Sequence, residues 1–155
     1  MSNAVAKLLY PSCVLLNYDL KTSDEVIQAI GNQLFEAGFV KDSFIQAAIE
    51  RESSMPTGLP LSGDINAAIP HTEIDHVLKP CIGMATLKNE VEFQNMISPQ
   101  EKVPVRLVFL LALEQPKAQI EMLQEVANIL QNPTLVKKLI EQKTFKGIIE
   151  TLEEA

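Results

Sequence analysis

The amino-acid sequence predicts a single α/β domain in which a central β-strand is covered by helices on both faces. The length of 155 residues lies within the usual range for one domain with one hydrophobic core. Residues 105–113 are apolar except for Arg106, as is typical of a strand buried on both faces. Segments with apolar residues at helical spacing lie before and after this strand, so helices are available to cover it.

The first elements are a strand and a helix. Residues 14–18 predict a short strand. Thr22 and Glu25 have the spacing of a capping box, so a helix is expected to begin there. It should run to about Ala37, because Gly38 is the residue type that ends helices in the left-handed conformation.

A second helix is expected to deliver an arginine into a loop. Asp42 is the predicted N-cap of this helix, and Glu52 closes its apolar face. The other positions of that face are Phe44, Ile45, Ala48 and Ile49. Arg51 lies in the last turn, at the edge of the same face. Residues 55–64 contain two prolines and two glycines and predict a loop, with a brief strand start at residues 57–59.

The second half of the chain predicts strands followed by helices. Residues 81–87 are expected to form a strand, residues 91–93 its hairpin partner, and residues 95–103 a polar connection. Three helices are expected after the central strand. The first covers residues 115–131, the second begins after its cap Asn132 and runs to residue 140, and the third is short and begins after its cap Thr144.

Composition excludes several classes of function. The net charge is −7 and no cluster of Lys and Arg is present, which argues against a nucleic-acid or anionic-membrane surface. No apolar run approaches the ~20 residues that span a bilayer. Because no secretory signal pattern is found either, we expect a cytoplasmic protein. Cys13 and Cys81 lie in apolar surroundings and are expected to be reduced core residues.

His71 is the candidate reactive residue. It follows Pro70, which fixes its own φ and favours an extended Ile69, so a rigid turn presents the imidazole. Ala67 and Ala68 leave space on the approach to the ring. Our hypothesis is that His71 is a nucleophile that carries a phosphoryl group.

Three other kinds of site fit the sequence poorly. Four potential metal ligands occur within six residues, namely His71, Glu73, Asp75 and His76. The two histidines are five positions apart and follow a proline turn, whereas ligands on one helix face are three or four apart. A zinc deaminase would need a cysteine three residues after Cys81, where the chain has Met84. The glycines are too scattered for a nucleotide-binding loop.

A nucleophilic histidine supported by an arginine remains. Histidine keeps an unprotonated ring nitrogen near neutral pH, and a phosphorylated nitrogen is labile enough to pass the group on. The planar guanidinium of Arg51 can hold two phosphoryl oxygens at once. Such transfer depends on positioning and charge stabilisation, so no cofactor is expected.

These residues resemble a known family, the type 2 enzyme IIA domains of the phosphoenolpyruvate-dependent sugar phosphotransferase system. The likeness is to the fructose and mannitol class and is greatest to its galactitol-like branch. The matching motifs, in order, are residues 48–52 around Arg51, Pro56-Thr57-Gly58, residues 68–72 around His71, His76-Val77 and the apolar strand 105–113. The resemblance covers about residues 8–152, so one domain over 1–155 is expected.

The resemblance implies a fold and a function. The expected fold is a mixed β-sheet flanked by helices. His71 would accept a phosphoryl group from the phosphorylated histidine of the carrier HPr, and Arg51 corresponds to the family's arginine. The group would pass to a cysteine of enzyme IIB and, through the membrane component IIC, to a sugar or polyol during uptake.

One departure from the family pattern affects the expected site. Many members have a second active-site histidine after the long strand, where this chain has Gln119. Gln119 can donate a hydrogen bond but cannot titrate, so His76 is the candidate for any auxiliary imidazole. Thr57, Gly58 and Thr72 are expected to shape the pocket.

Two alternatives and a candidate surface complete the expectations. The protein could be a regulatory phosphoprotein that signals through His71 without moving sugar, or a non-catalytic interaction domain with the same fold. The residues considered for a partner surface are Met55, Leu59, Leu61 and Ile65, for which ordinary loop packing is an equal explanation.

Overall fold

Five β-strands and five α-helices lie within residues 3–154, the part of the chain that the computed structural model describes, with two helices after the first strand and three after the last. The strands are β1 (Leu9–Tyr18), β2 (Gly58–Leu59), β3 (Asn66–Ala68), β4 (Cys81–Gln94) and β5 (Lys102–Ala112). The helices are α1 (Ser23–Glu36), α2 (Phe44–Ser54), α3 (Pro116–Leu130), α4 (Pro133–Glu141) and α5 (Phe145–Glu153). Short 3-10 turns occur at Ala6–Leu8 and Ile74–His76.

The strands form one mixed sheet in the order β1-β4-β5-β3-β2. β1 is parallel to β4 and β3 is parallel to β5, whereas β4 pairs with β5 and β2 with β3 in antiparallel fashion. β5, the strand expected to be central, has two strands on each side of it. The predicted mixed α/β fold is therefore confirmed.

Apolar side chains project from both faces of the sheet, and each face packs against its own layer of helices. In β5, Val108 and Leu110 join one buried cluster, and Phe109 and Leu111 join the other. The first cluster contains side chains of α1 and α2, and the second contains side chains of α3, α4 and α5. The alternation that a strand imposes thus distributes one apolar run between two layers, as predicted.

Most predicted helix ends are confirmed. The hydroxyls of Thr22 and Thr144 and the side-chain oxygen of Asn132 each accept a hydrogen bond of 3.0–3.1 Å from the backbone N–H three residues ahead. Glu25 accepts a second bond at the start of α1, from the preceding backbone at Lys21. Gly38 follows α1 with φ +85°, the left-handed conformation expected of a residue that ends a helix.

The predicted N-cap of α2 is wrong by one residue. Ser43, not Asp42, is the N-cap, and it makes no side-chain capping bond. The turn is closed by the backbone, where the N–H of Phe44 donates to the carbonyl of Lys41 at 3.1 Å. The hydroxyl of Ser43 instead contacts the ring of His76, so a tertiary contact takes the place of the cap.

The predicted hairpin between residues 81–87 and 91–93 is also wrong. β4 continues through both segments, and both pair with β5. The register shifts between Thr86 and Val91, around three exposed polar residues, Lys88, Asn89 and Glu90. These residues resemble a turn in sequence because they face solvent where the long strand is irregular.

Two strand boundaries depend on the position of the strand in the sheet. β1 begins at Leu9, five residues before the predicted start, and contains Pro11. β1 is an edge strand, where a residue without an N–H is tolerated. β3 was not predicted, because three residues are too few to show a strand period.

Both cysteines are buried free thiols, as predicted. Cys13 and Cys81 belong to the cluster under α1 and α2, and burial raises the pKa of both thiols. They are therefore protonated core side chains and not nucleophiles. Within residues 3–154, no helix has the length and apolar character needed to cross a membrane.

Candidate active site

His71 lies just beyond the end of β3, in a turn that is attached to the central strand. The carbonyl of Pro70 accepts a hydrogen bond of 3.0 Å from the N–H of Leu111 in β5. Pro70 and Ile69 are buried, and the imidazole is partly exposed. The backbone under the ring is thus restrained by proline and by the sheet, while the ring itself reaches the surface.

The orientation of the imidazole determines which of its nitrogens can react. Nδ1 of His71 lies 2.9 Å from the carbonyl oxygen of Ile69. Because a carbonyl only accepts hydrogen bonds, Nδ1 carries the proton and Nε2 keeps its lone pair. Burial lowers the pKa of His71, and the positive charge of Arg51 acts in the same direction against the opposing hydrogen bond to Ile69. The ring is therefore neutral at pH 7.

Arg51 reaches the same place from the last turn of α2. Its Nη1 donates to Oε1 of Glu73 at 3.1 Å, and its side chain is 29% exposed. Its Nε is buried and has no hydrogen-bond partner within residues 3–154. A buried donor without an acceptor is costly, so Arg51 has capacity to bind an additional oxygen ligand.

The carboxylate of Glu73 joins Arg51 to the His71 turn. Oε2 of Glu73 accepts from the hydroxyl of Thr72 at 2.8 Å while Oε1 accepts from Arg51. The Thr72 hydrogen bond is the main cause of a lowered pKa for Glu73, and Arg51 adds to it. The side chain of Glu73 is 60% exposed, so water screens this ion pair and keeps it weak.

Two surface depressions meet at His71 and Arg51. One, the Met96 depression, has a volume of about 310 Å³ and is lined by Arg51, Ser54, Met55, Pro56, Thr57, His71, Met96 and Pro99. The other, the Gln119 depression, has about 490 Å³ and is lined by Arg51, His71, Thr72, Glu73, Ile74, Asp75, Pro116, Gln119, Ile120 and Leu123. The two residues that the sequence singled out therefore lie together between two open hollows.

Gln119 and His76, the candidates for an auxiliary role, lie in different places. Gln119 is in the first turn of α3 and lines the Gln119 depression with His71. His76 lies in a neighbouring groove with Arg51 and Glu73, and its Nδ1 is 2.8 Å from the hydroxyl of Ser43. It lines neither depression that contains His71, so the structure does not bring the two imidazoles into one pocket.

Thr57 and Gly58 differ in their relation to the site. Thr57 is buried, and it lines the Met96 depression. Gly58 lines neither depression and lies against β4, where a Cβ would be 2.5 Å from the carbonyl oxygen of Gln94. Its own carbonyl accepts from the N–H of Met96 at 2.9 Å. Gly58 thus shapes the site only indirectly, by allowing the close backbone contact that holds Met96.

Several residues at the site were missed or misplaced by sequence reasoning. Glu52 is 6% exposed and binds Thr57, and its only signal in sequence was a carboxylate on the apolar face of α2. Met96 is exposed beside His71 and carried no signal in the sequence. Ile120 was expected on the apolar face of the helix over residues 115–131, but it is exposed beside His71. Of the residues considered for a partner surface, only Met55 is at the site. Leu61 and Ile65 line a separate hollow beside α4, and Leu59 packs against the core.

Comparison with known proteins gives the family of this chain. Residues 7–155 match the family described as "Phosphoenolpyruvate-dependent sugar phosphotransferase system, EIIA 2". The chain is 37% identical over 116 residues to the PTS system galactitol-specific EIIA component of Escherichia coli strain K12, covering 75% of this chain and 76% of that protein. It is 26% identical over 154 residues to the PTS system fructose-specific EIIABC component of Bacillus subtilis strain 168, covering 97% of this chain and 23% of that longer protein.

A solved structure agrees with these relatives. The crystal structure of IIA mannitol from Escherichia coli matches with a TM-score of 0.78 at 26% identity, covering 93% of this chain and 98% of the other. The resemblance read from the sequence is confirmed by the family match over nearly the whole chain. This protein belongs to the type 2 EIIA family of the phosphoenolpyruvate-dependent sugar phosphotransferase system.

Proposed function

We propose that this protein is a phosphocarrier that accepts a phosphoryl group on Nε2 of His71 and passes it to a cysteine of an enzyme IIB. The observation that carries the proposal is the 2.9 Å hydrogen bond from Nδ1 of His71 to the carbonyl of Ile69. It leaves the lone pair of Nε2 free on a neutral ring beside Arg51. Family membership supports phosphoryl transfer as the reaction class.

The first step is transfer from the phosphorylated histidine of HPr. The lone pair of Nε2 forms a bond to phosphorus while the bond from phosphorus to the donor's ring nitrogen breaks, and that electron pair stays on the donor. The His71 ring becomes more positive as Nε2 binds phosphorus, so its Nδ1–H becomes a stronger donor. The carbonyl of Ile69 already accepts that hydrogen, and it stabilises the charge without rearrangement.

Arg51 neutralises the incoming phosphoryl oxygens. Its buried, unpaired Nε can bind one oxygen, and its planar fork allows a second bond from an Nη. Glu73 holds Nη1 before the group arrives. Because a partly exposed ion pair contributes no more than about 1 kcal/mol, Arg51 can exchange this carboxylate for the phosphoryl group.

The second step moves the group to enzyme IIB. A cysteine thiolate of the partner attacks phosphorus, the N–P bond breaks, and the electron pair returns to Nε2 of His71. The protein is thereby restored for another cycle and needs no cofactor of its own. The 37% identity to a galactitol-specific component supports a polyol of that kind as the final acceptor, taken up through the membrane component IIC.

Exposed apolar side chains beside His71 support docking of partner proteins. Met55 and Met96 line the Met96 depression and are 58% and 40% exposed, and Ile120 lines the Gln119 depression and is 62% exposed. Apolar side chains around a reactive residue favour contact with another protein, which would bury them and exclude water from the transfer.

The test is the intact mass of the protein after incubation with phosphoenolpyruvate, enzyme I and HPr. We expect a gain of one phosphoryl group that is lost in acid, and no gain for His71→Ala. His76→Ala is the matched control, because it removes the only other histidine and should leave the gain unchanged. Phosphorylation that persists in His71→Ala would refute His71 as the nucleophile.

A second measurement separates the carrier from the regulatory alternative. Phosphorylated protein is mixed with the cognate enzyme IIB, and the transfer of the group to the IIB cysteine is followed by mass. Transfer of the phosphoryl group to enzyme IIB after the two proteins are mixed supports a carrier. A stable phosphorylated protein that no enzyme IIB discharges would favour a regulatory phosphoprotein.

A further inference from the structure

Glu52 is a buried carboxylate next to Arg51 in the last turns of α2. Only 6% of the residue is exposed, and both of its oxygens accept hydrogen bonds from Thr57. The Thr57 N–H donates to Oε2 and the Thr57 hydroxyl donates to Oε1, each at 2.8 Å. Two hydrogen bonds of this length attach Thr57 to the helix that carries Arg51.

A continuous series of hydrogen bonds leads from Glu52 to the imidazole. The Thr57 hydroxyl has a single proton, which it donates to Glu52, so its lone pairs are left to accept. One of them accepts from the N–H of Ile69 at 3.1 Å. The carbonyl of the same Ile69 accepts from Nδ1 of His71. Three residues therefore connect the helix of Arg51 with the ring of His71.

We propose that Glu52 is a positioning residue of the phosphoryl-transfer site, which acts through Thr57 and Ile69 to orient the ring of His71 relative to Arg51. The inference rests on the proposed function for its catalytic consequence. His71 and Arg51 lie on separate segments of the chain. Their common attachment to the Glu52–Thr57 pair fixes the position of one relative to the other. Such preorganisation is effective because a displacement of about 1 Å can reduce a rate by about a hundredfold.

The chemistry of Glu52 favours a functional role over simple packing. Burial raises its pKa to about 7 despite the opposing hydrogen bonds from Thr57, and the nearby Asp24 adds to the rise. An apolar side chain would complete the apolar face of α2 without that cost of burial. Buried carboxyls with raised pKa values concentrate at functional sites, which agrees with a place one residue from Arg51.

The test compares matched variants of the full chain by NMR and by phosphoryl acceptance. Glu52→Gln removes one of the two oxygens that accept hydrogen bonds from Thr57, and Thr57→Val removes the hydroxyl that links Glu52 to Ile69. Thr57→Ser retains the hydroxyl. Glu50→Gln is the control, because the exposed carboxylate of Glu50 lies on the same helix and, among the residues that the structure describes, bonds only to Gln46. The ¹⁵N shifts of the imidazole report the tautomer of His71, and acceptance from phosphorylated HPr reports the rate.

We expect the natural protein, Thr57→Ser and Glu50→Gln to show His71 with its proton on Nδ1. Glu52→Gln and Thr57→Val should show a mixture of tautomers and accept the phosphoryl group about 10- to 100-fold more slowly, with the KM for phosphorylated HPr little changed. Thr57→Val has nearly the shape of threonine and carries the test if Glu52→Gln fails to fold.

Folded Glu52→Gln and Thr57→Val proteins with the natural tautomer and rate would overturn the proposal. The two readouts also separate it from the proposed function. If the natural protein accepts no phosphoryl group, the proposed function fails, while the NMR comparison still decides whether Glu52 orients the ring.

Discussion

The buried carboxyl of Glu52 gives the protein a pH-dependent stability that glutamine should remove. Its pKa rises from 4.5 to about 7 on folding, mainly because burial penalises the charged form. The folded protein therefore binds a proton at this group more tightly than the unfolded chain does. The resulting stabilisation is complete below pH 4.5 and is lost as the pH rises through about 7.

The magnitude follows from the two pKa values. At about 1.36 kcal/mol for each tenfold change in the ionisation constant, the rise from 4.5 to about 7 is worth about 3 kcal/mol in full. Between pH 5 and pH 8 most of this, about 2 to 3 kcal/mol, is lost. Glutamine does not titrate, so the Glu52→Gln variant lacks this loss whatever its stability at a single pH.

The assay is urea unfolding of both proteins at pH 5 and pH 8. The free energy of unfolding of the natural protein should fall by about 2 to 3 kcal/mol more between these two pH values than that of Glu52→Gln. The comparison cancels the titration of groups that the two proteins share, including His71, whose lowered pKa has the opposite effect on stability. Equal changes in both proteins would refute the conclusion that ionisation of Glu52 destabilises the folded protein.

Two further predictions concern the transfer site. Glu73→Gln removes the carboxylate that competes with the phosphoryl group for Nη1 of Arg51. The ratio of phosphorylated to free protein at equilibrium with phosphorylated HPr should therefore rise by up to about fivefold. An unchanged or smaller ratio in the mass spectrum would contradict the exchange of ligands at Arg51. As the pH is lowered, the rate of phosphoryl acceptance should fall with a midpoint below 6.5, the ordinary pKa of histidine. The reason is that burial lowers the pKa of His71 and only the neutral ring attacks phosphorus. A midpoint at or above 6.5 in stopped-flow measurements would exclude a lowered pKa of His71.

Local sequence patterns predicted most of the fold. Thr22, Asn132 and Thr144 cap helices as expected, since a cap joins groups only three residues apart. Gly38 ends α1 because its conformation disfavours other residues. The central strand was identified because both of its faces are buried and its residues are therefore apolar.

Local patterns failed where pairing between distant segments determined the outcome. Residues 88–90 resembled a turn, yet β4 passes through them because β5 continues alongside. The hydroxyl of Ser43 contacts the ring of His76, which is 33 positions away in the chain. Neither feature depends on the spacing of neighbouring residues, so neither could be read from periodicity.

The sequence by itself predicted the reactive group and its supporting charge. Pro70 before His71 indicated that a rigid turn holds the imidazole. Arg51 was a candidate because it lies in the last turn of a helix, just before the loop that leads to His71. These inferences needed only the chemistry of the side chains and the restriction of a backbone dihedral.

The tertiary structure alone decided which groups surround His71. It brings Ile120 to the ring from α3 beside Gln119, which the family resemblance had already indicated, directs His76 into a separate groove, and joins Glu52 to Ile69 through Thr57. Each of these relations depends on how helices dock on the sheet and how its strands align. A hydrogen bond needs its atoms within about 3 Å, a condition that a one-residue shift in register would abolish.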